Sequence, residues 1–83
     1  MNSKTLRLTV ITPTGKSLDA ETESLRLPAA DGSVGIRHGH AAALILLKAG
    51  DVHYLKDGKD AVFPLKAEGF ARIKDNVVTI ITK

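Results

Sequence analysis

The chain has 83 residues, 12 Lys and Arg against 9 Asp and Glu, and no Cys. That length holds one small domain, 1–83, and the missing Cys excludes disulfide or thiolate-metal support. The net charge of +3 is spread from Lys4 to Lys83 among acids, which reads as a solvated surface and not a phosphate-tracking stripe, and Tyr54, Phe63 and Phe70 are few aromatics for a base-stacking platform, so no nucleic-acid partner is expected.

The N-terminal segment, Met1 to Leu6, lacks the apolar stretch of a signal peptide. The longest apolar run is Ala41 to Leu47, well short of the roughly 20 residues that span a bilayer. A soluble or peripheral protein without direct membrane insertion is expected. Leu6, Leu8 and Val10 alternate with Thr5, Arg7 and Thr9, which predicts a half-buried strand. Pro13-Thr14-Gly15 should end it in a turn. Leu18 and Ala20 share one parity, and Leu25 and Leu27 the other. Such a switch means two strands or one bulged strand. Pro28-Ala29-Ala30-Asp31-Gly32-Ser33 reads as a turn.

Ala41–Leu47 has helical composition but is short and lies between Gly39 and Gly50, so a strand is predicted over Ala43–Lys48. Asp57-Gly58 predicts a type I′ hairpin between Val52–Lys56 and Lys59–Phe63. Its register would set Val52 against Phe63 and Tyr54 against Ala61. Pro64 cannot donate to a ladder and marks an edge or a strand break. Phe70–Ile73 and Val77–Ile81 are further strands, joined by Lys74-Asp75-Asn76. Many short strands with turn signals roughly every eight to twelve residues predict an all-β sandwich or barrel.

The chemistry-bearing motifs are thin. Gly15-Lys16-Ser17 ends like a phosphate-binding loop, but the position that needs the first Gly is Val10, and Pro13 removes an amide donor. His38, His40 and His53 lack nearby acids at metal-ligand spacing. The serines at 3, 17, 24 and 33 have no nucleophile-elbow context, so no catalytic, cofactor or metal residues are expected. Gly32-Ser33-Val34-Gly35-Ile36 followed by Gly39-His40-Ala41 is unusual for a plain hairpin. It is either a sharply folded loop or a loop shaped for another chain, and spacing leaves both readings open.

Several segments in order resemble the epsilon subunit of bacterial F-type ATP synthases, called delta in mitochondria. They are Leu8-Thr9-Val10-Ile11-Thr12-Pro13, Leu27-Pro28, Asp31-Gly32-Ser33-Val34-Gly35-Ile36 and Gly39-His40-Ala41, then Leu47, Gly50-Asp51-Val52, Glu68-Gly69-Phe70 and Asn76-Val77-Val78-Thr79-Ile80. Two places depart from the family pattern. Arg37-His38 stands where an apolar or Tyr residue and Pro are usual, and Ser33 where an acidic or amide residue is common.

The resemblance implies a small β-sandwich of about ten short strands. It implies a non-catalytic rotor subunit that joins the gamma subunit to the membrane c-ring and couples ion translocation to ATP synthesis. By resemblance, Asp31, Gly32, Ser33, Val34 and Gly35 face the c-ring, and Thr12 and His40 face gamma. His40 is alternatively a brace within its own loop. No cofactor is implied. The isolated chain is expected to be a monomer, and the assembled one peripheral, on the cytoplasmic face of the inner (plasma) membrane. Most members continue into two C-terminal helices. The sandwich accounts for all 83 residues here, so the inhibition and ATP sensing that belong to those helices are not expected of them.

Overall fold

The computed structural model describes residues 4–83, apart from the side chain of Lys16. Apolar–polar alternation governs the fold. Nine strands form among the described residues: β1 Leu6–Thr12, β2 Gly15–Thr22, β3 Ser24–Ala29, β4 Gly32–Arg37, β5 Ala43–Leu47, β6 Gly50–Lys56, β7 Lys59–Leu65, β8 Gly69–Lys74 and β9 Val77–Thr82. The all-β expectation holds, with nine strands in place of about ten.

The strands make one curled sheet in the order β2-β1-β9-β8-β5-β3-β6-β7, with β4 on the free side of β3. It doubles over on itself. One layer is β2-β1-β9-β8-β5 and the other is β4-β3-β6-β7. The layers join through the single pair Ala29↔Leu47. Ala30 N donates to Leu46 O and Lys48 N to Pro28 O beside that pair, each at 2.9 Å. All pairings are antiparallel except β1 with β9. The core between the layers takes Leu6, Leu8 and Val10 from β1, Leu25 and Leu27 from β3, Ile36, Val52, Ile73, Val78 and Ile80. Each nearly vanishes from solvent, which stabilises by roughly 1.5–3 kcal/mol for a side chain of this size.

The parity switch between Ala20 and Leu25 is the place where the chain leaves one layer for the other, at Glu23 between β2 and β3. Thr22 makes the corner. It is 2% exposed. Its Oγ1 donates to Ser24 O at 2.8 Å and accepts from Ser24 N at 3.3 Å and Leu55 N at 3.0 Å. The last bond ties β2 to β6 on the side opposite the β3–β5 join. Thr22→Val keeps the shape and strands the Leu55 amide. It is expected to cost about 2–3 kcal/mol, read as a lower urea midpoint, with Thr22→Ser retaining most of the stability.

The β6–β7 register is the predicted one, with Val52 opposite Phe63 and Tyr54 opposite Ala61. Asp57 and Gly58 both take positive φ, 53° and 76°. Asp75 and Asn76 close β8–β9 in the same manner, at φ 52° and 64°. Pro64 lies within β7, the edge of its layer, where a missing N–H costs nothing.

Two expectations need correction. The turn predicted over Pro28–Ser33 shrinks to Ala30-Asp31, because Ala29 already pairs with Gly32. The glycine segment read as a loop, Gly32–Ile36, is strand β4. Val34 and Ile36 point inward against Leu27 and Leu25, and Ser33 and Gly35 outward. Glycine on the outer side removes the side chain that would have shown the alternation.

Candidate functional site

Among the described residues, no group of three or more His, Asp or Glu gathers as metal ligands. His38 Nε2 lies 3.1 Å from Asn76 Nδ2, His40 Nδ1 lies 2.7 Å from Ala41 O, and His53 stands opposite Arg26 across β3–β6. The Asn76 side chain also accepts from Gly39 N at 2.7 Å, so it clasps the β4–β5 link to the β8–β9 turn. Gly15 opens a strand, where a phosphate loop needs a helix. What remains is surface.

The first surface is the outer face of β2-β1-β9-β8-β5. Leu46 pairs with Phe70, Phe70 with Ile81 and Ile81 with Ile11, so four apolar side chains cross four strands in one row. Leu44 and Leu46 are 67% and 68% exposed. A hollow of about 470 Å³ lined by Ala30, Leu46, Gly69, Phe70 and Ile81 extends the row to the layer junction. The opposite end of the face is polar, with Arg7 donating to Asp19 at 2.7 Å. That hydrogen bond and the Asp19 charge hold the Arg7 pKa above its ordinary value. At the apolar end, the Lys83 ammonium donates to Glu68 at 2.6 Å. This bond, then the charge itself, puts the Glu68 carboxyl below the ordinary glutamate range. Whatever this exposed pair contributes is present above the unfolded glutamate pKa and lost as pH falls through the folded one.

The second surface is the outer face of β4-β3-β6-β7. Arg26 lies across Gly35 and donates through Nη1 to Ser33 Oγ at 3.2 Å. Arg37 lines the same hollow as Arg26. Of the positions where the chain departs from the family pattern, Arg37 lines this hollow and Ser33 lines the adjoining one, with Arg26 between them.

The residues expected to face the c-ring stay together on the β3–β4 hairpin, with Asp31 in the turn and Gly32, Ser33, Val34 and Gly35 in β4. Val34 differs from the rest in pointing toward the core. Thr12 and His40 are far apart. Thr12 closes β1 beside Gly15, at the end of the sheet where Gly69 and Thr82 pair. His40 precedes β5, at the end where Ala43 pairs with Ile73. Sequence reading missed the apolar row. A signal was available: Ala43 to Leu47 and Val77 to Ile81 carry apolar residues on both parities, as strands covered on both faces do.

The family model "ATP synthase, Delta/Epsilon chain, beta-sandwich domain" matches residues 5–83. The ATP synthase epsilon chain of Hydrogenobaculum sp. (strain Y04AAS1) is 36% identical over 78 residues, covering 94% of this chain and 56% of that one. The ATP synthase epsilon chain of Bacillus subtilis (strain 168) is 32% identical over 80 residues, covering 96% and 60%. The chain thus spans little over half the length of the curated relatives it matches. A chain in the cryo-EM structure of Euglena gracilis mitochondrial ATP synthase, OSCP/F1/c-ring in rotational state 1, superposes with a TM-score of 0.84 over 95% of this chain and 51% of that one. At 23% identity that likeness is one of fold. On the strength of the match over 5–83, this chain belongs to the β-sandwich domain family of ATP synthase delta/epsilon chains.

Proposed function

We propose that this chain is a central-stalk rotor subunit of an F-type ATP synthase, without catalytic chemistry of its own. It links the gamma subunit to the membrane c-ring and helps couple ion translocation to ATP synthesis. The observation that carries the reading is the apolar row Leu46, Phe70, Ile81 and Ile11, on the outside of a domain of this family. A lone domain has no use for such a row in water, and contiguous exposed apolar side chains mark contact surfaces.

Gamma covers this face along β5, from His40 toward the Gly69 end where Thr12 lies. The β3–β4 hairpin, with Asp31, Gly32, Ser33, Val34 and Gly35, turns toward the c-ring. Torque transfer asks for a stiff body and durable contacts. A close-packed core clamped at Thr22 and at Ala29↔Leu47 supports the first. The subunit is peripheral to the membrane, held on the cytoplasmic face of the inner (plasma) membrane through the complex. No helix among the described residues is long and apolar enough to cross a membrane.

The test mixes the 83-residue chain with folded cognate gamma. A one-to-one complex burying at least ~1,600 Å² in total is expected. A chain that stays free by both calorimetry and co-purification is a free-standing interaction or ligand-binding module instead.

A further inference from the structure

We propose that the hollow between Arg26 and Arg37 binds a carboxylate, supplied by an acidic side chain on the c-ring loop that docks there. This rests on the reading that the β3–β4 hairpin faces the ring, and it adds the chemistry of the partner.

Arg26 stands in β3 between Gly35 of β4 and His53 of β6. With no side chain at Gly35, the guanidinium lies over the strand: a Cβ built on Gly35 would come within 3.6 Å of Nη2 and 4.0 Å of Cζ. Nη1 is spent on Ser33 Oγ, at 3.2 Å. The Nε and Nη2 edge has no partner among the described residues. That edge presents two parallel N–H groups, the geometry that accepts a carboxylate side-on. The anchored arm fixes the fork in advance, so little further ordering is needed on binding.

Arg37 adds a second cation. It lines the same hollow of about 340 Å³ with Ser24, Arg26, His53, Tyr54 and Asp60. Ion pairs among the described residues join Arg7 to Asp19 and Lys83 to Glu68, and none involves Arg26, Arg37 or Asp60. The hollow therefore holds two guanidinium charges against one carboxylate. In the adjoining hollow beyond Arg26, Lys48 and Asp51 offset each other. One further carboxylate completes the balance. A bilayer surface is a poorer occupant, because its array of negative headgroups would meet Asp51 and Asp60 along with the arginines.

The experiment measures affinity of the full chain for the purified cognate c-ring and, separately, for gamma. With the ring, Arg26→Gln with Arg37→Gln is expected to weaken binding about tenfold at ~50 mM salt, narrowing at ~500 mM as screening removes the charge effect. Gamma binding should not change. Arg26→Lys, which keeps the charge and loses the fork, should fall between, and it carries the test if the double variant does not give a folded amide NMR spectrum. Unchanged ring affinity in the folded variants overturns the proposal. If the unsubstituted chain does not bind the ring at all, the ring-facing reading fails first. Equal binding to ring-free vesicles rich in anionic lipid, lost in the same variants, makes this a headgroup site and also overturns the proposal.

Discussion

Leu46→Asp is expected to lower the affinity for gamma by about 100-fold or more while leaving the domain folded. Leu46 is 68% exposed, so an Asp there stays hydrated in the free chain and the fold loses little. In the complex the same carboxylate would be pressed against apolar surface with no partner, which a buried charge cannot sustain without a large penalty. Its neighbour Phe70 supplies the aromatic area of the row, and Phe70→Ala should weaken binding in the same direction by a smaller factor. Titration calorimetry reads both. A Leu46→Asp chain that binds gamma like the unsubstituted one removes this face from the interface.

Gly69→Ala is expected to be the most damaging single methyl group in the domain. A Cβ at Gly69 would overlap the carbonyl oxygen of Ile81 and stand 2.8 Å from Cα of Thr82. Both are backbone atoms of β9, paired with β8 through Phe70↔Ile81 and Gly69↔Thr82. No rotamer relieves such a contact, so the two strands must separate at this end. Overpacking of this kind costs about 1–3 kcal/mol, a large part of the stability of a domain this small. The melting temperature should drop by roughly 5–20 °C. The same separation would disturb Phe70 and Ile81, so gamma affinity should fall with it. Gly58→Ala makes a useful contrast, since nothing lies within 4 Å of its added Cβ and only the φ of 76° resists the change. A Gly69→Ala melt equal to that of the parent would mean that β8 and β9 tolerate a different spacing from the one described.

Strands were legible wherever one parity was apolar and the other polar, as in Leu6–Val10. The hairpin around Asp57-Gly58 was legible to its register, because few residues accept two successive positive φ angles. β4 was not, since Gly35 leaves a gap in the outward half of its pattern and Gly32 one in the inward half. The parallel pairing of β1 with β9 was beyond reach of local rules, because it joins residues some seventy positions apart in the chain. The candidate surfaces behave alike. The hairpin residues could be named from a sequence resemblance, whereas the apolar row exists only when β5, β8, β9 and β1 lie side by side. The convergence of Arg26 and Arg37 likewise depends on β3 and β4 being neighbours.

That parallel pair also governs how the domain comes into being. β9 is the last of these nine strands in chain order, yet it lies between β1 and β8 in the middle of its layer. Until it arrives, β1 has no neighbour on that side, and Leu8 and Val10 lack the cover that Val78 and Ile80 provide. A growing chain therefore cannot fold strand by strand from its start. It must wait for β9 and then close the long loop between β1 and β9 in one step, which slows folding toward the millisecond-to-second range of non-local β topologies. Assembly of the whole is cooperative for the same reason, and a chain cut before Val77 should not hold a partial version of this structure.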